Sequence, residues 1–242
     1  MFSDIRNFTG LGEKLAPKEL VSLLNDLLTT LTEQVLENDG TIDKYIGDNV
    51  MAFWNAPIAI DAHEVVAARA ALDMRAALKT FCAGRDDLGQ TIEVATGLAA
   101  GDVLVGNIGS QQRFNYSVIG DTVNVAARAE AACRPIGFDI VATAPVRDAA
   151  TGLAWIDAGS LRMKGKSAPA RLFILVGDER MAKSQPFKKL YFAHEALICS
   201  IQAGDDPTAQ LSTCKALALN VEPRLSEFYG NLPERYDDFR GD

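Results

Sequence analysis

One short hairpin pattern restricts what this chain can fold into more than any other feature. The segment 43–53 reads Asp-Lys-Tyr-Ile-Gly-Asp-Asn-Val-Met-Ala-Phe, which is two strand-like runs joined at Gly47-Asp48. Near the start of the chain, the segment 2–9 is a short extended stretch that carries Asp4 and ends in a polar turn. We interpret Asp4 and Asp48 as parts of one site.

The other hydrophobic patterns predict helices and strands in alternation. A helix that contains Pro17 in its first turn is stopped by the segment 38–40, and its apolar face is predicted to hold Val21, Leu24, Leu28, Leu31 and Val35. Further helices are predicted over 61–82, 121–132, 187–203, 207–220 and 223–229. Strands are predicted over 113–119, 138–142 and 161–176 (the last broken at 164–167), with a hairpin over 91–107 that turns at 99–102.

This order of elements predicts an α+β fold, in which helices pack on a mainly antiparallel sheet. The segment 178–242 is predicted to be a helical extension that has no chemistry of its own. The first strand reads as N-terminally truncated, because Asp4 comes only fourth where a buried strand usually needs about five residues.

The composition excludes some classes of function. A net charge of −8 argues against general nucleic-acid binding, which needs a basic surface. The cysteines lack metal-site spacing and are interpreted as small buried apolar residues of a reducing compartment: Cys82, Cys133, Cys199 and Cys214. The sequence contains neither a signal peptide nor an apolar run of about 18 residues that could span a membrane.

A third motif gives the two aspartate segments a specific meaning. Residues 115–128 read Asn-Tyr-Ser-Val-Ile-Gly-Asp-Thr-Val-Asn-Val-Ala-Ala-Arg. Together and in this order, the three segments resemble the catalytic domain of the class III adenylate and guanylate cyclases, over roughly residues 1–177. The resemblance implies a ferredoxin-like nucleotide cyclase core and conversion of ATP into 3′,5′-cyclic AMP and pyrophosphate, used in intracellular signalling.

The resemblance also implies how the triphosphate is held. Asp4, Asp48 and the backbone carbonyl of Ile5 match the ligands of two Mg²⁺ or Mn²⁺ ions per site. The turn formed by Phe8, Thr9 and Gly10 matches the segment that cradles the β- and γ-phosphates. Lys164 matches a lysine that grips the triphosphate, and Lys166 is close enough to be confused with it.

Four further residues match the positions that bind the nucleoside and the reacting phosphate. Lys44 and Ser117 match the pair that reads the purine, and a lysine suits the N1 acceptor of adenine, whereas guanine N1 is a donor and favours a carboxylate. Asn124 and Arg128 are four residues apart on one helix face, and they match the catalytic pair that positions the ribose and stabilises the transition state.

In the family, the two halves of each site come from different subunits, and this chain matches both halves. A homodimer with active sites at its interface is therefore expected. The expected location is cytoplasmic, although missing upstream segments could anchor a longer protein in a membrane. Three alternatives stay open. They are a guanylate cyclase, a catalytically silent cyclase-like domain, and a polymerase-palm-like or diguanylate-forming domain, which the absence of a Gly-Gly-Asp-Glu-Phe motif disfavours.

Overall fold

The computed structural model describes residues 1–6, 8, 10, 15–83, 85, 92–110, 112–161 and 169–240. The strands are β1 (Phe2–Arg6), β2 (Thr41–Ile46), β3 (Asn49–Phe53), β4 (Glu93–Leu98), β5 (Leu104–Ser110), β6 (Arg113–Ile119), β7 (Ile140–Thr143), β8 (Ala154–Leu161) and β9 (Ala170–Gly177). The helices are α1 (Pro17–Glu37), α2 (His63–Ala83), α3 (Asp121–Ile136), α4 (Ala144–Ala149), α5 (Glu179–Lys183), α6 (Gln185–Ala203), α7 (Thr208–Ala218) and α8 (Leu225–Asn231), followed by a 3₁₀ helix (Leu232–Phe239).

Seven of these strands form one sheet in the order β2-β3-β1-β4-β7-β9-β8. All neighbouring pairs are antiparallel except β4 and β7. The predicted α+β class with a mainly antiparallel sheet is confirmed. The hairpin between β2 and β3 is also where the sequence places it, and Gly47 at its tip has a φ of +67°, in the left-handed region that favours glycine.

The pairing of β5 differs from the prediction. The segment 91–107 was expected to fold as a hairpin, but β4 lies inside the large sheet and β5 pairs with β6 in a separate two-stranded ribbon. A strand was predicted to begin at residue 161, but in the structure Leu161 is the last residue of β8. The helix α4 and the final 3₁₀ helix were not predicted; both are short, and short helices carry little periodic signal.

Helix α1 begins at the proline that the sequence indicates, but its buried face is rotated from the predicted one. Its fully buried apolar residues are Leu23, Leu27, Leu31 and Val35. Val21, which was predicted to lie on this face, is 57% exposed. The helix carries more leucines than one face can hold, so periodicity alone did not distinguish the two neighbouring stripes.

Two apolar layers cover the two faces of the sheet. Helices α1 and α2 pack on one face, where residues such as Leu27, Met74 and Leu98 form one buried cluster. Helix α3 and the C-terminal helices pack on the other face, in a cluster that includes Ile136 and Ile174. The molecule is thus a three-layer arrangement of helices, sheet and helices.

The packing of α3 on the sheet depends on Gly97 in β4. A Cβ atom at this position would lie 2.1 Å from the backbone nitrogen of Glu130 and 2.3 Å from the carbonyl oxygen of Ala126. Any side chain here would therefore force the helix away from the sheet. The glycine brings α3, and with it the side chain of Glu130, close to the central strands.

The segment after residue 177 packs against the sheet and shares one buried cluster with α3, β8 and β9. An ion-pair network reinforces this contact: the Arg75 guanidinium donates to both Asp139 oxygens at 2.8 and 2.7 Å, and Arg224 binds the same carboxylate. The division of the chain at 177/178 stays a prediction. Among the described helices, none has the length and hydropathy needed to cross a membrane.

Acidification should destabilise this C-terminal packing through His194. The ring is fully buried, its Nδ1 lies 3.2 Å from the Tyr229 hydroxyl, and burial lowers its pKa from 6.5 to about 4. Because the unfolded chain binds this proton more readily, stability is lost as pH falls from about 6.5 towards 4, by about 1.4 kcal/mol per pH unit. Urea unfolding should therefore show a His194 contribution of about 2 kcal/mol between pH 7 and pH 5.

The matched comparison is His194→Phe, which keeps an aromatic ring beside Phe228 and removes the titrating group. Other groups also titrate in this range, so the quantity to compare is the change between the two pH values in each protein. The wild type should lose about 2 kcal/mol more than the variant. Equal changes in both proteins would show that His194 is not the titrating group.

Candidate active site

The fold places the two predicted metal aspartates next to each other. Asp4 on β1 pairs with Asn49 on β3, and Asp48 directly precedes Asn49 at the hairpin tip. Burial and the negative charge of Asp48 raise the pKa of Asp4 above its ordinary value, while a hydrogen bond with the Asn49 side chain opposes that rise. The two carboxylates therefore interact electrostatically near the end of β1.

A third carboxylate, which the sequence did not indicate, lies near these two. Burial, together with the charges of Asp4 and Asp48, raises the pKa of Glu130 to about 7, and Arg6 opposes this rise. Glu130 reaches the site because α3 packs closely on the sheet at Gly97. The sequence alone does not indicate this position, because it depends on how α3 packs against the sheet.

Asp4 and Asp48 form an acidic cluster that fits a divalent cation. Two carboxylates that repel each other in a partly buried site are stabilised by a bound cation, and their oxygens are the hard ligands that Mg²⁺ and Mn²⁺ prefer. Ile5, the third predicted ligand, is buried and lies one residue beyond the last β1 residue that pairs with β3. Among the described residues, no group of three or more histidine, cysteine, aspartate or glutamate side chains is arranged so that it could hold a metal ion.

The predicted phosphate-binding turn is described only in part. Phe8 is half-buried and packs against the cluster under α1 and α2. At Gly10, an added Cβ would have no described atom within 4 Å. Thr9, Lys164 and Lys166 lie outside the described residues.

The two predicted base-reading residues meet across the structure. Lys44 on β2 and Ser117 on β6 are 73 positions apart in the chain, and the Lys44 ammonium donates a hydrogen bond to Ser117 Oγ at 3.1 Å. A buried carboxylate that the sequence analysis missed joins them: Asp43 Oδ2 accepts a hydrogen bond from Ser117 Oγ at 2.7 Å. The two residues thus form a connected polar group.

Asn124 and Arg128 lie on α3, as predicted, but on a different face from Glu130. Positions 124 and 128 are about 40° apart around a helix, whereas 128 and 130 are about 160° apart. Asn124 is exposed and Arg128 is half-buried. These two side chains are therefore directed away from the face of α3 that approaches the acidic cluster of the same chain.

Comparison with known proteins identifies the family of this chain. Residues 1–177 match the family model of the adenylate and guanylate cyclase catalytic domain. The chain is 34% identical over 182 residues to adenylate cyclase 1 of Rhizobium meliloti (strain 1021), covering 74% of this chain and 27% of that protein. It is 35% identical over 176 residues to an adenylate cyclase of Anabaena cylindrica, covering 71% of this chain and 34% of that protein. The chain thus spans about a third or less of the length of these curated relatives.

Solved structures show the same fold. The adenylyl cyclase CyaB from P. aeruginosa superposes with a TM-score of 0.68 at 32% identity, covering 74% of this chain and 93% of that one. The guanylyl cyclase Cya2 superposes with a TM-score of 0.65 at 29% identity, covering 73% and 90%. The predicted nucleotide cyclase fold is confirmed, and this chain belongs to the adenylate and guanylate cyclase catalytic domain family.

Proposed function

We propose that the chain converts ATP into 3′,5′-cyclic AMP and pyrophosphate, as an enzyme of intracellular signalling. The observation that carries this proposal is the contact between Lys44 and Ser117, which supplies a donor and a hydroxyl at one point for a purine edge. The two curated relatives described above bear the name adenylate cyclase, and their identity to this chain supports the same reaction. Because the reaction draws on ATP, we expect the domain to work in the cytoplasm.

The chemistry is an in-line displacement, in which the ribose 3′-oxygen attacks the α-phosphate and pyrophosphate leaves. Catalysis of such a reaction rests on positioning and on stabilising charge at the phosphate oxygens. Lys44 and Ser117 hold the adenine, Asn124 orients the ribose, and Arg128 stabilises the charge that develops on the α-phosphate. The turn that contains Gly10 receives the terminal phosphates, together with Lys164.

Asp4, Asp48 and the carbonyl of Ile5 are the residues that would hold the two cations. When bound, Mg²⁺ or Mn²⁺ lowers the pKa of the attacking hydroxyl and neutralises phosphate charge. Burial, and after it the charge of Asp48, raises the pKa of Asp4, and a cation bound between the two carboxylates would offset both effects. Glu130, whose pKa is raised to about 7, lies near the same two carboxylates.

We further propose that each site is built by two copies of the chain. Asn124 and Arg128 are directed away from the acidic cluster of their own chain, so a second copy is needed to bring both sets to one substrate. An apolar surface for such a contact exists on the ribbon of β5 and β6 and on the preceding loop, where the exposed side chains include Val103, Leu104, Phe114 and Ile119. A two-fold pair would create two equivalent sites.

The direct test is to incubate the purified chain with ATP or GTP plus Mn²⁺ and to identify the product by mass. Cyclic AMP and pyrophosphate in equal amounts are the expected products. Cyclic GMP as the main product would make the chain a guanylate cyclase. If the folded chain binds nucleotide without forming either cyclic product, it is a silent member of the family.

The purine contacts can be tested by removing each partner. Lys44→Met and Ser117→Ala should each lower kcat/KM for ATP by roughly ten- to a hundredfold, since each removes a hydrogen bond to the base. The ratio of kcat/KM for ATP to that for GTP should fall in both variants. Lys188→Met, which changes an exposed lysine on α6, is the matched control and should leave that ratio unchanged. An unchanged ratio in both site variants would exclude Lys44 and Ser117 from base recognition.

A further inference from the structure

Asp43 occupies an irregular position in β2. The pairing of β2 with β3 shifts register between Ile42 and Lys44, so Asp43 is the extra residue of a β-bulge. In a regular strand, Asp43 and Lys44 would point to opposite faces. The bulge instead lets both side chains reach Ser117 on β6.

The Asp43 carboxylate is held by three groups, although its side chain is completely buried, with 0% exposure. Its Oδ2 accepts hydrogen bonds from Ser117 Oγ at 2.7 Å and from the Val118 backbone N–H at 3.1 Å. Its Oδ1 lies 3.1 Å from the Lys44 ammonium. A buried charge without partners would be strongly destabilising, so its burial depends on Lys44 and Ser117 staying in place.

These bonds fix which groups remain for a ligand. A serine hydroxyl has one hydrogen and two lone pairs. Ser117 uses its hydrogen on Asp43 and one lone pair on Lys44, which leaves one lone pair as an acceptor. The Asp43 carboxylate can only accept hydrogen bonds, so the Ser117 hydrogen stays directed towards it.

Lys44 is oriented by the same groups. Its ammonium has three N–H donors, and one of them is used on Ser117 Oγ at 3.1 Å. Asp43 Oδ1 forms an ion pair with this ammonium at 3.1 Å but does not accept a hydrogen bond from it. The side chain of Lys44 is 42% exposed, so a remaining donor can meet a ligand beside the Ser117 acceptor.

With Lys44 facing the N1 position and Ser117 facing the 6-substituent of the purine, this arrangement matches adenine and opposes guanine. Adenine presents the N1 acceptor and the N6 amino donor, whereas guanine presents an N1–H donor and the O6 acceptor. We propose that Asp43 is a positioning residue that sets adenine selectivity, by holding Lys44 as the donor and Ser117 as the acceptor. This inference rests on the proposed function, in which Lys44 and Ser117 read the purine.

The main test is Asp43→Asn, which keeps the shape of the side chain and breaks the arrangement in either rotamer. In one rotamer, the amide oxygen of the new asparagine accepts from Val118, and its amino group faces the Lys44 ammonium and displaces it. In the other rotamer, the amino group faces Ser117 and Val118. The ratio of kcat/KM for GTP to that for ATP should rise by about tenfold or more. If Asp43→Asn does not fold, Asp43→Ser takes its place, because its hydroxyl can still accept from Val118 but carries no charge for Lys44.

Two comparisons separate positioning from a merely structural role. Asp139→Asn removes a comparable carboxylate that pairs with Arg75, away from Lys44 and Ser117. It should leave the ratio of kcat/KM for GTP to that for ATP unchanged. In a chain that already carries Lys44→Met and Ser117→Ala, adding Asp43→Asn should change the ratio less than about twofold, since both of its partners are gone. Equal losses for ATP and GTP in Asp43→Asn alone would overturn the inference.

A binding measurement keeps this result separate from the proposed function. ATP and GTP are each allowed to displace a fluorescent ribose-labelled nucleotide from wild type and from Asp43→Asn. If wild type forms no cyclic AMP, the proposed reaction fails, yet a shift of the binding ratio towards GTP in the variant still supports the role of Asp43. An unchanged binding ratio overturns that role whether or not the chain is active.

Discussion

Asp4→Ala and Asp48→Ala should each reduce formation of cyclic AMP by roughly a thousandfold or more. Each substitution removes a carboxylate from the pair that would hold the cations, and the remaining oxygen ligands cannot place two ions at the phosphates. The measurement is initial velocity with saturating Mn²⁺ and ATP. Near-normal activity in both variants would exclude these residues as the metal ligands.

Loss of activity through misfolding is distinguishable from loss of metal binding. Asp48 helps to raise the pKa of Asp4, so the apo protein should keep its melting temperature, or gain slightly, when either carboxylate is removed. In wild type, Mn²⁺ at a hundred times its Kd should stabilise the fold by about 2.7 kcal/mol. The two variants should lose that gain, whereas the exposed control Asp61→Ala should keep it.

Short sequence motifs were enough to locate the proposed site residues that are local features of the chain. Asp48 at a glycine turn, and the spacing of Asn124 from Arg128, are local features, and the structure has both where the pattern placed them. Asp43 was missed although it stands beside Lys44, because a regular strand would direct the two side chains to opposite faces. The bulge that brings them together depends on the pairing with β3, which the residues of β2 do not indicate.

Long-range pairing explains most of the other differences. The turn at 99–102 suggested that β4 and β5 pair, but β4 lies between β1 and β7 and leaves β5 to pair with β6. The choice among partners is decided by which apolar faces can be buried together, and a single segment does not contain that information. The same holds for Glu130, whose place near the metal aspartates is set by the close approach of α3 to Gly97.

Mixing two inactive variants should restore activity if the sites are shared between subunits. Asp48→Ala disables the metal half of a site, and Arg128→Ala disables the half that stabilises the transition state. In a heterodimer of the two, one site carries both lesions and the other carries neither. Random pairing makes about half of the dimers heterodimers, each with one working site, so activity should reach roughly a quarter of wild type.

The matched control is a mixture in which both variants are damaged in the same half. In a heterodimer of Asp4→Ala with Asp48→Ala, each site contains one defective metal half, so no activity should return. Both mixtures are prepared at equal concentrations and incubated until the subunits have exchanged, with the dimer fraction measured by light scattering. Recovery in the first mixture and none in the second requires that the acidic cluster of one chain acts with Arg128 of the other. If neither mixture recovers while the heterodimers are present, each chain must carry a complete site, and α3 would then have to turn Arg128 towards its own sheet.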